Sequence, residues 1–252
     1  MPFYENSGVR IRYEEYGNLN GHPLLLLAPG GPNSGIEAWS RLAAFDPREV
    51  FKGECRIIAM DQRNANTGES TGPVQVEQPW DAFLEDQLGL LDHLGINEAF
   101  VLGFCIGCSY GLGLMEKAPS RFTAGVLCQP IGHRPEDPNV MVDATLNWGK
   151  ALVEKRPEID FADIEKMVDN MYRSPADFVY SVSREFVQGC QTPMLVLPGI
   201  DRAHPYEVGI EVADLAPNSE RLDPWKVPVE IVPQTVEVVR SFLQKHTPVA
   251  TK

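Results

Sequence analysis

A glycine-framed turn between an apolar run and a helical stretch constrains this chain most. Glu98-Ala99-Phe100-Val101-Leu102 leads into Gly103-Phe104-Cys105-Ile106-Gly107, and residues 109–117 have helical character. Glycines at both flanks let a strand and a helix approach closely while the central residue takes a strained backbone conformation. Cys105 then stands at a helix N-terminus, where the helix dipole and free backbone N–H groups favour a thiolate. A strand turning this sharply into a helix belongs to a βαβ unit, so a parallel sheet is expected.

The rest of the chain repeats that rhythm. Short apolar runs at 24–27, 56–60, 124–128 and 194–197 read as strands buried on both faces, and 9–16 alternates like a half-buried strand. Helical spacing at 80–94 places Phe83, Leu84, Leu88, Leu91 and Leu94 on one side; further helices are expected at 36–45 and 229–245. Between the strand at 124–128 and the strand at 194–197 the pattern changes. Three stretches, 142–154, 161–172 and 176–186, read as charged helices without strong strands, the mark of a helical cap. The expected organisation is a sheet core over 1–134, a cap insertion over 135–190 and a second core part over 191–252. A chain of 252 residues suits one large domain of this kind.

Composition narrows the partners. A net charge of −13 argues against nucleic acid and anionic lipid, both of which require basic patches. The longest apolar run, 24–28, is far short of the roughly 20 residues that cross a bilayer. Residues 1–6 show neither a basic region nor an apolar core of a leader, so a cytoplasmic protein with a small-molecule substrate is expected. The five cysteines, 55, 105, 108, 128 and 190, are odd in number and lack zinc-site spacing. Neither a metal nor a cofactor is therefore expected, and oligomeric state is left open. Cys105 and Cys108 form a C-x-x-C, yet the flanking glycines belong to another motif than a redox pair.

Four motifs together carry a resemblance. Pro29-Gly30-Gly31-Pro32 closes the first buried strand, and Asp61-Gln62-Arg63-Asn64 closes the second. Gly103 to Gly107 has the form of a nucleophile elbow, and Met194 to Asp201 leads into His204-Pro205. In these the chain resembles the α/β-hydrolase fold superfamily over nearly its whole length. The glycine loops resemble proline iminopeptidase-like members, with Pro29 where their histidine usually sits. The cysteine elbow resembles that of dienelactone hydrolases, with Cys108 in place of the second of their paired glycines. The resemblance implies an α/β-hydrolase fold, a mostly parallel sheet flanked by helices with a short helical cap. It further implies Cys105 as nucleophile in place of the usual serine, an oxyanion hole from the N–H groups of Gly31 and Ile106, and Asp201 as the acid. Arg63 reads as the partner of a structural ion pair.

The histidine departs from that pattern. In the family it follows the last strand, which here falls near Trp225, and no histidine is close. His22 precedes the first buried strand, His93 lies on an amphipathic helix, and His246 is near the C-terminus. His133 and His204 remain, both at C-terminal strand edges where open α/β sheets gather their active sites. His204 shares a loop with Asp201 and is the first candidate base; His133 is the alternative. A thiol needs less help from a base than a hydroxyl does. The expected activity is cofactor-independent hydrolysis of a small ester, lactone or thioester through a Cys105 acyl-enzyme. An acyltransferase, a lyase, or an inactive small-molecule-binding protein on the same fold are the alternatives.

Overall fold

A computed structural model describes residues 2–66 and 69–248. Its strands are β1 (Phe3–Asn6), β2 (Val9–Gly17), β3 (Pro23–Leu27), β4 (Arg56–Met60), β5 (Ala99–Phe104), β6 (Phe122–Cys128), β7 (Met194–Leu197) and β8 (Ser219–Arg221). The helices are α1 (Trp39–Leu42), α2 (Pro47–Val50), α3 (Pro79–His93), α4 (Ile106–Lys117), α5 (Val140–Lys155), α6 (Phe161–Val168), α7 (Arg184–Gly189), α8 (Tyr206–Leu215) and α9 (Val232–Lys245). The eight strands form one sheet in the order β1-β2-β4-β3-β5-β6-β7-β8. β1 and β2 are antiparallel, β2 meets β4 antiparallel, and every pair from β4 to β8 is parallel.

Burial explains the continuous apolar strands. Leu25, Leu27 and Val101 point to one face with α3, α4, α8 and the cap residues. Leu24, Leu26, Phe100 and Leu102 point to the other, against Trp39, Phe51, Trp225 and the apolar stripe of α9. A strand covered on both faces needs an apolar residue at every position, so alternation disappears. β2 pairs antiparallel near the sheet edge and keeps Glu14 and Glu15 only partly buried.

Helices α5, α6 and α7 all lie between β6 and β7, and α5 packs on the short 3₁₀ turn Gly31–Asn33 that follows β3. Two expected helices take other forms. The stretch 36–45 holds only a 3₁₀ turn, Ile36–Ala38, and the four residues of α1. The stretch 176–186 is irregular up to Arg184: Phe178 and Tyr180 have φ of 43° and 65°, which stops a helix there. Their side chains are buried all the same, so apolar spacing alone imitated a helix. Elements not anticipated were β1, α2, α8 and β8. Among the described residues no helix is long and apolar enough to cross a membrane.

Candidate active site

The turn between β5 and α4 holds Cys105 at φ 60° and ψ −122°. This conformation is unfavourable for a side-chain-bearing residue and survives because its surroundings enforce it. A Cβ on Gly103 would run into the Gly107 carbonyl, and one on Gly107 into the Leu27 carbonyl of β3. The Cys105 N–H donates to the Cys128 carbonyl at 3.0 Å, tying the turn to β6. One helical turn on, the Cys108 thiol is fully buried and lies 3.2 Å from the Gly103 and Cys128 carbonyls. Burial pushes its pKa far up, with Cys128 and Cys105 adding to the rise, so Cys108 packs as a neutral thiol. All five cysteines are unpaired and buried.

Opposite the elbow, the segment after β7 makes a tight turn in which Asp201 and His204 bridge as an antiparallel pair. The Asp201 Oδ1 accepts from the Ala203 N–H at 3.1 Å and lies 2.6 Å from His204 Nδ1. A Cβ on Gly199 would strike the His204 backbone, so the turn closes only over glycine. His204 Nε2 is buried and has no hydrogen-bond partner among the described residues, and the Cys105 thiol is the group that most favours charge on the imidazole. Burial pulls the His204 pKa down, but Cys105 and Asp201 together outweigh it and the net direction is upward. Burial likewise acts to raise Asp201, and His204, Lys226 and the Ala203 N–H overcome it to hold the carboxyl below its usual range. Asp201 is thus bonded to the His204 imidazole, and the Cys105 thiol acts on the same imidazole electrostatically.

β3 neighbours β5, with Leu27 opposite Gly103, which brings the Gly31 turn beside the elbow. Gly31 and Ile106 are each the first residue of a helical turn, so neither N–H has an acceptor within that turn. Gly30 and Gly31 have φ of 126° and 66°, a path glycine follows without strain. Ser34 Oγ braces the loop against the Ala28 and Gly31 carbonyls at 2.8 and 2.9 Å, and Asp61 accepts from the Ile36 N–H at 2.8 Å.

His133 interacts with other residues. Its ring stands edge-on to Tyr180 at 6.3 Å, its N–H donates to the Phe178 carbonyl, and its charge influences Asp177. None of these interactions reaches Cys105 or Asp201. Arg63 is a structural ion-pair partner, binding both Asp86 oxygens at 2.6 and 2.7 Å deep in the core. His22 sits at the opposite end of the sheet, against Phe100 and 3.0 Å from Thr123 Oγ1. Trp225 occupies the place where a histidine was sought; it is buried, and its indole N–H donates to the Pro198 carbonyl at 2.7 Å.

Three nearby residues, Lys226, Gln129 and Thr145, escaped the sequence reading. Lys226 and Gln129 join the Asp201 side of the site, at 3.6 and 2.6 Å from Lys226 Nζ to Asp201 Oδ2 and Gln129 Oε1. The only advance signal was that Lys226 directly follows the expected histidine position. On the cap side, Thr145 Oγ1 lies 3.4 Å from the Tyr172 hydroxyl, and Thr145 also faces Gly31. Burial pushes the Tyr172 and Tyr110 pKa values up, and the charge of Cys105 adds to both rises. Both tyrosines, Tyr172 and Tyr110 of α4, therefore stay neutral.

The mostly parallel sheet flanked by helices agrees with what the sequence comparison finds. Residues 23–171, more than half of the chain, match the model of the alpha/beta hydrolase fold. The chain belongs to the alpha/beta hydrolase fold family. Within that family it is 34% identical over 111 residues to a probable proline iminopeptidase of Leptolyngbya boryana, covering 44% of this chain and 32% of that protein. It is 29% identical over 126 residues to 2-hydroxymuconate semialdehyde hydrolase of Pseudomonas sp. (strain CF600), covering 50% and 42%. The matched segments thus span less than half of each of these relatives. Among solved structures, the enol-lactonase from Burkholderia xenovorans LB400 superposes with a TM-score of 0.67 at 21% identity, over 96% of this chain and 100% of that one. Family members usually carry serine at the elbow, so Cys105 is a departure from the common pattern.

Proposed function

We propose that this chain hydrolyses a small carboxylic ester, lactone or thioester through a Cys105 acyl-enzyme, with His204 as base and Asp201 as its orienting acid. The observation that carries the reading is the His204 imidazole, bonded at Nδ1 to Asp201 at 2.6 Å and with a buried Nε2 left unpartnered, on which Cys105 acts electrostatically. In the first step the sulfur attacks the carbonyl carbon, its proton passing to His204 Nε2. The oxyanion is held by the N–H groups of Ile106 and Gly31. Collapse breaks the bond to the leaving group, which takes the proton from His204; in a lactone that group stays tethered to the acyl chain. Water then attacks the thioester, giving its proton to His204, and the acid product leaves as the thiol is restored. Asp201 stays ionised, holding the imidazole in one tautomer and stabilising its cation. The two sequence relatives named above support hydrolysis, and the enol-lactonase, alike in fold, favours an ester-type bond.

The test is acylation by an activated ester followed by intact-mass and peptide analysis. The reading expects one acyl group per chain on Cys105, its release as free acid in water, and loss of both in Cys105→Ala. The rate of Cys105 alkylation by iodoacetamide across pH, measured with His204→Ala and His133→Ala alongside, separates the two histidines. His204→Ala alone is expected to change that profile. Acylation elsewhere, or a profile indifferent to His204, overturns the assignment.

A further inference from the structure

We infer that Lys226 is the positioning residue of the Asp201 carboxylate, clamped in turn by Gln129. This extends the hydrolase reading above and rests on it. Lys226 follows Trp225 in the segment after β8, so the stretch from which the family supplies its histidine supplies a cation to the acid instead. Its side chain is only 17% exposed, and Nζ stands 2.6 Å from Gln129 Oε1 and 3.6 Å from Asp201 Oδ2. Gln129 comes directly after β6 at φ 48°, a left-handed conformation unusual for glutamine, and is itself buried. Its N–H donates to the Leu197 carbonyl at 2.7 Å, so the amide is held at the end of β7, beside the turn that carries Asp201.

The arrangement divides the carboxylate between two tasks. Oδ1 serves His204 and the Ala203 N–H, while Oδ2 faces Lys226. The Asp201 side chain is 47% exposed, so a carboxylate on this turn without a contact at Oδ2 is free to rotate towards solvent. A half-exposed ion pair adds little stability of its own. Its consequence is orientation: a fixed Asp201 keeps the imidazole aimed at Cys105.

The charged and titratable groups around this pair come from several elements. Cys105 approaches from the elbow, and Lys226 from the segment after β8. The Arg202–Asp137 ion pair links the turn to the start of the cap, and Arg134 and Glu207 border the surface hollow that Asp201 shares. Tyr206 donates to Asp223 on the far side of that hollow. Among the described residues, Lys226 is the cation that meets Asp201 Oδ2.

The experiment is an NMR titration of His204 in the intact protein, assigned with His204→Gln, for the wild type, Lys226→Met and Lys226→Arg. Two roles for Lys226 predict opposite signs. A bystander cation repels the imidazolium, so removing it raises the His204 midpoint. A positioning cation holds the anion that stabilises the imidazolium, so removing it lowers the midpoint towards the ordinary histidine range. We expect the fall in Lys226→Met, with recovery in Lys226→Arg. Hydrolysis of an activated ester is expected to drop roughly tenfold in kcat with KM unchanged, less than the roughly 10²-fold or more from losing acid–base catalysis itself. A rise, or no movement, of the His204 midpoint in Lys226→Met overturns the inference. The titration needs no substrate, so it stands apart from the outcome of the acylation test.

Discussion

The two segments that follow β7 and β8 divide the labour of the site unequally. Residues 198–205 carry Asp201 and His204 three positions apart on one tight turn, beside an Ile200 left 56% exposed. Residues 222–228 carry no histidine; they contribute a buried indole and a lysine, and both reach back into the first segment. Placing the proposed acid and base on one turn makes their geometry local, since three residues of backbone set it. The same pair split between two segments would depend on how those segments pack. The second segment therefore acts as a brace: Trp225 holds the Pro198 carbonyl at the entrance of the turn, and Lys226 faces the free oxygen of its aspartate.

The sharpest way to break this comparison is to exchange the roles. His204→Ala is expected to lower turnover of an activated ester by about 10²–10⁴-fold, the usual worth of a positioned general base. Adding Trp225→His to that variant is not expected to restore it, because the new ring gives up the large buried indole and its bond to Pro198. Recovery in the double variant would show that the second segment is as competent as the first. Stability should respond in the opposite order. Trp225→Ala removes a large side chain packed edge-on against Phe104 at 5.9 Å and is expected to cost about 3–5 kcal/mol in denaturant unfolding. Trp225→Phe keeps most of the volume and loses the hydrogen bond, a cost of about 1 kcal/mol.

The opposite ends of the sheet sharpen the same contrast through pH. His204 has its pKa raised: burial opposes the charge, but Cys105 and Asp201 outweigh it. His22, at the far end, has its pKa lowered by burial, only partly offset by Glu98. NMR is expected to place their midpoints on either side of the ordinary value of about 6.5. His204 adds stability that is fully present below about pH 6.5 and is lost as pH rises through its higher folded value. His22 favours the folded state above about pH 6.5, and that contribution disappears as pH falls through its lower folded value. Asp201, held low, contributes above about pH 4 and loses that contribution only at more acid pH. A His204 midpoint below that of His22 would mean that the thiol and the carboxylate do not act on the imidazole.

What could be read in advance follows from sequence distance. The elbow is five residues long and announces itself through its glycines, so Cys105 and Ile106 were legible without any tertiary information. Asp201 and His204 are three residues apart, and their placement after a buried apolar run was legible too. The sheet was equally plain in its interior, where both faces are covered and apolar runs are continuous. At its edges the signal thinned: β8 is three polar residues, Ser219–Arg221, and β1 only four. The clamp on Asp201 was beyond reach because Lys226 and Gln129 are 97 positions apart and meet only when β6 and the segment after β8 converge. Residues 176–186 mislead for a different reason. Phe178, Val179 and Tyr180 are buried by an irregular path pinned through the Val179 carbonyl to Ser109, and burial without a helix leaves the same apolar spacing as burial with one.

The smallest expected effect tests the histidine that sequence position alone left standing. His133 also follows a buried strand of the sheet, yet its interactions are with the cap residues Tyr180, Phe178 and Asp177. The backbone bond to Phe178 survives substitution, and the ring contributes only an edge-on contact at 6.3 Å. His133→Ala should therefore leave activated-ester turnover within about twofold and stability within roughly 0.5 kcal/mol, as for most surface changes. A loss approaching that of His204→Ala would place the proton transfer on the cap side of Cys105. The turn after β7 would then be a brace like its neighbour, and the contrast between the two segments would collapse.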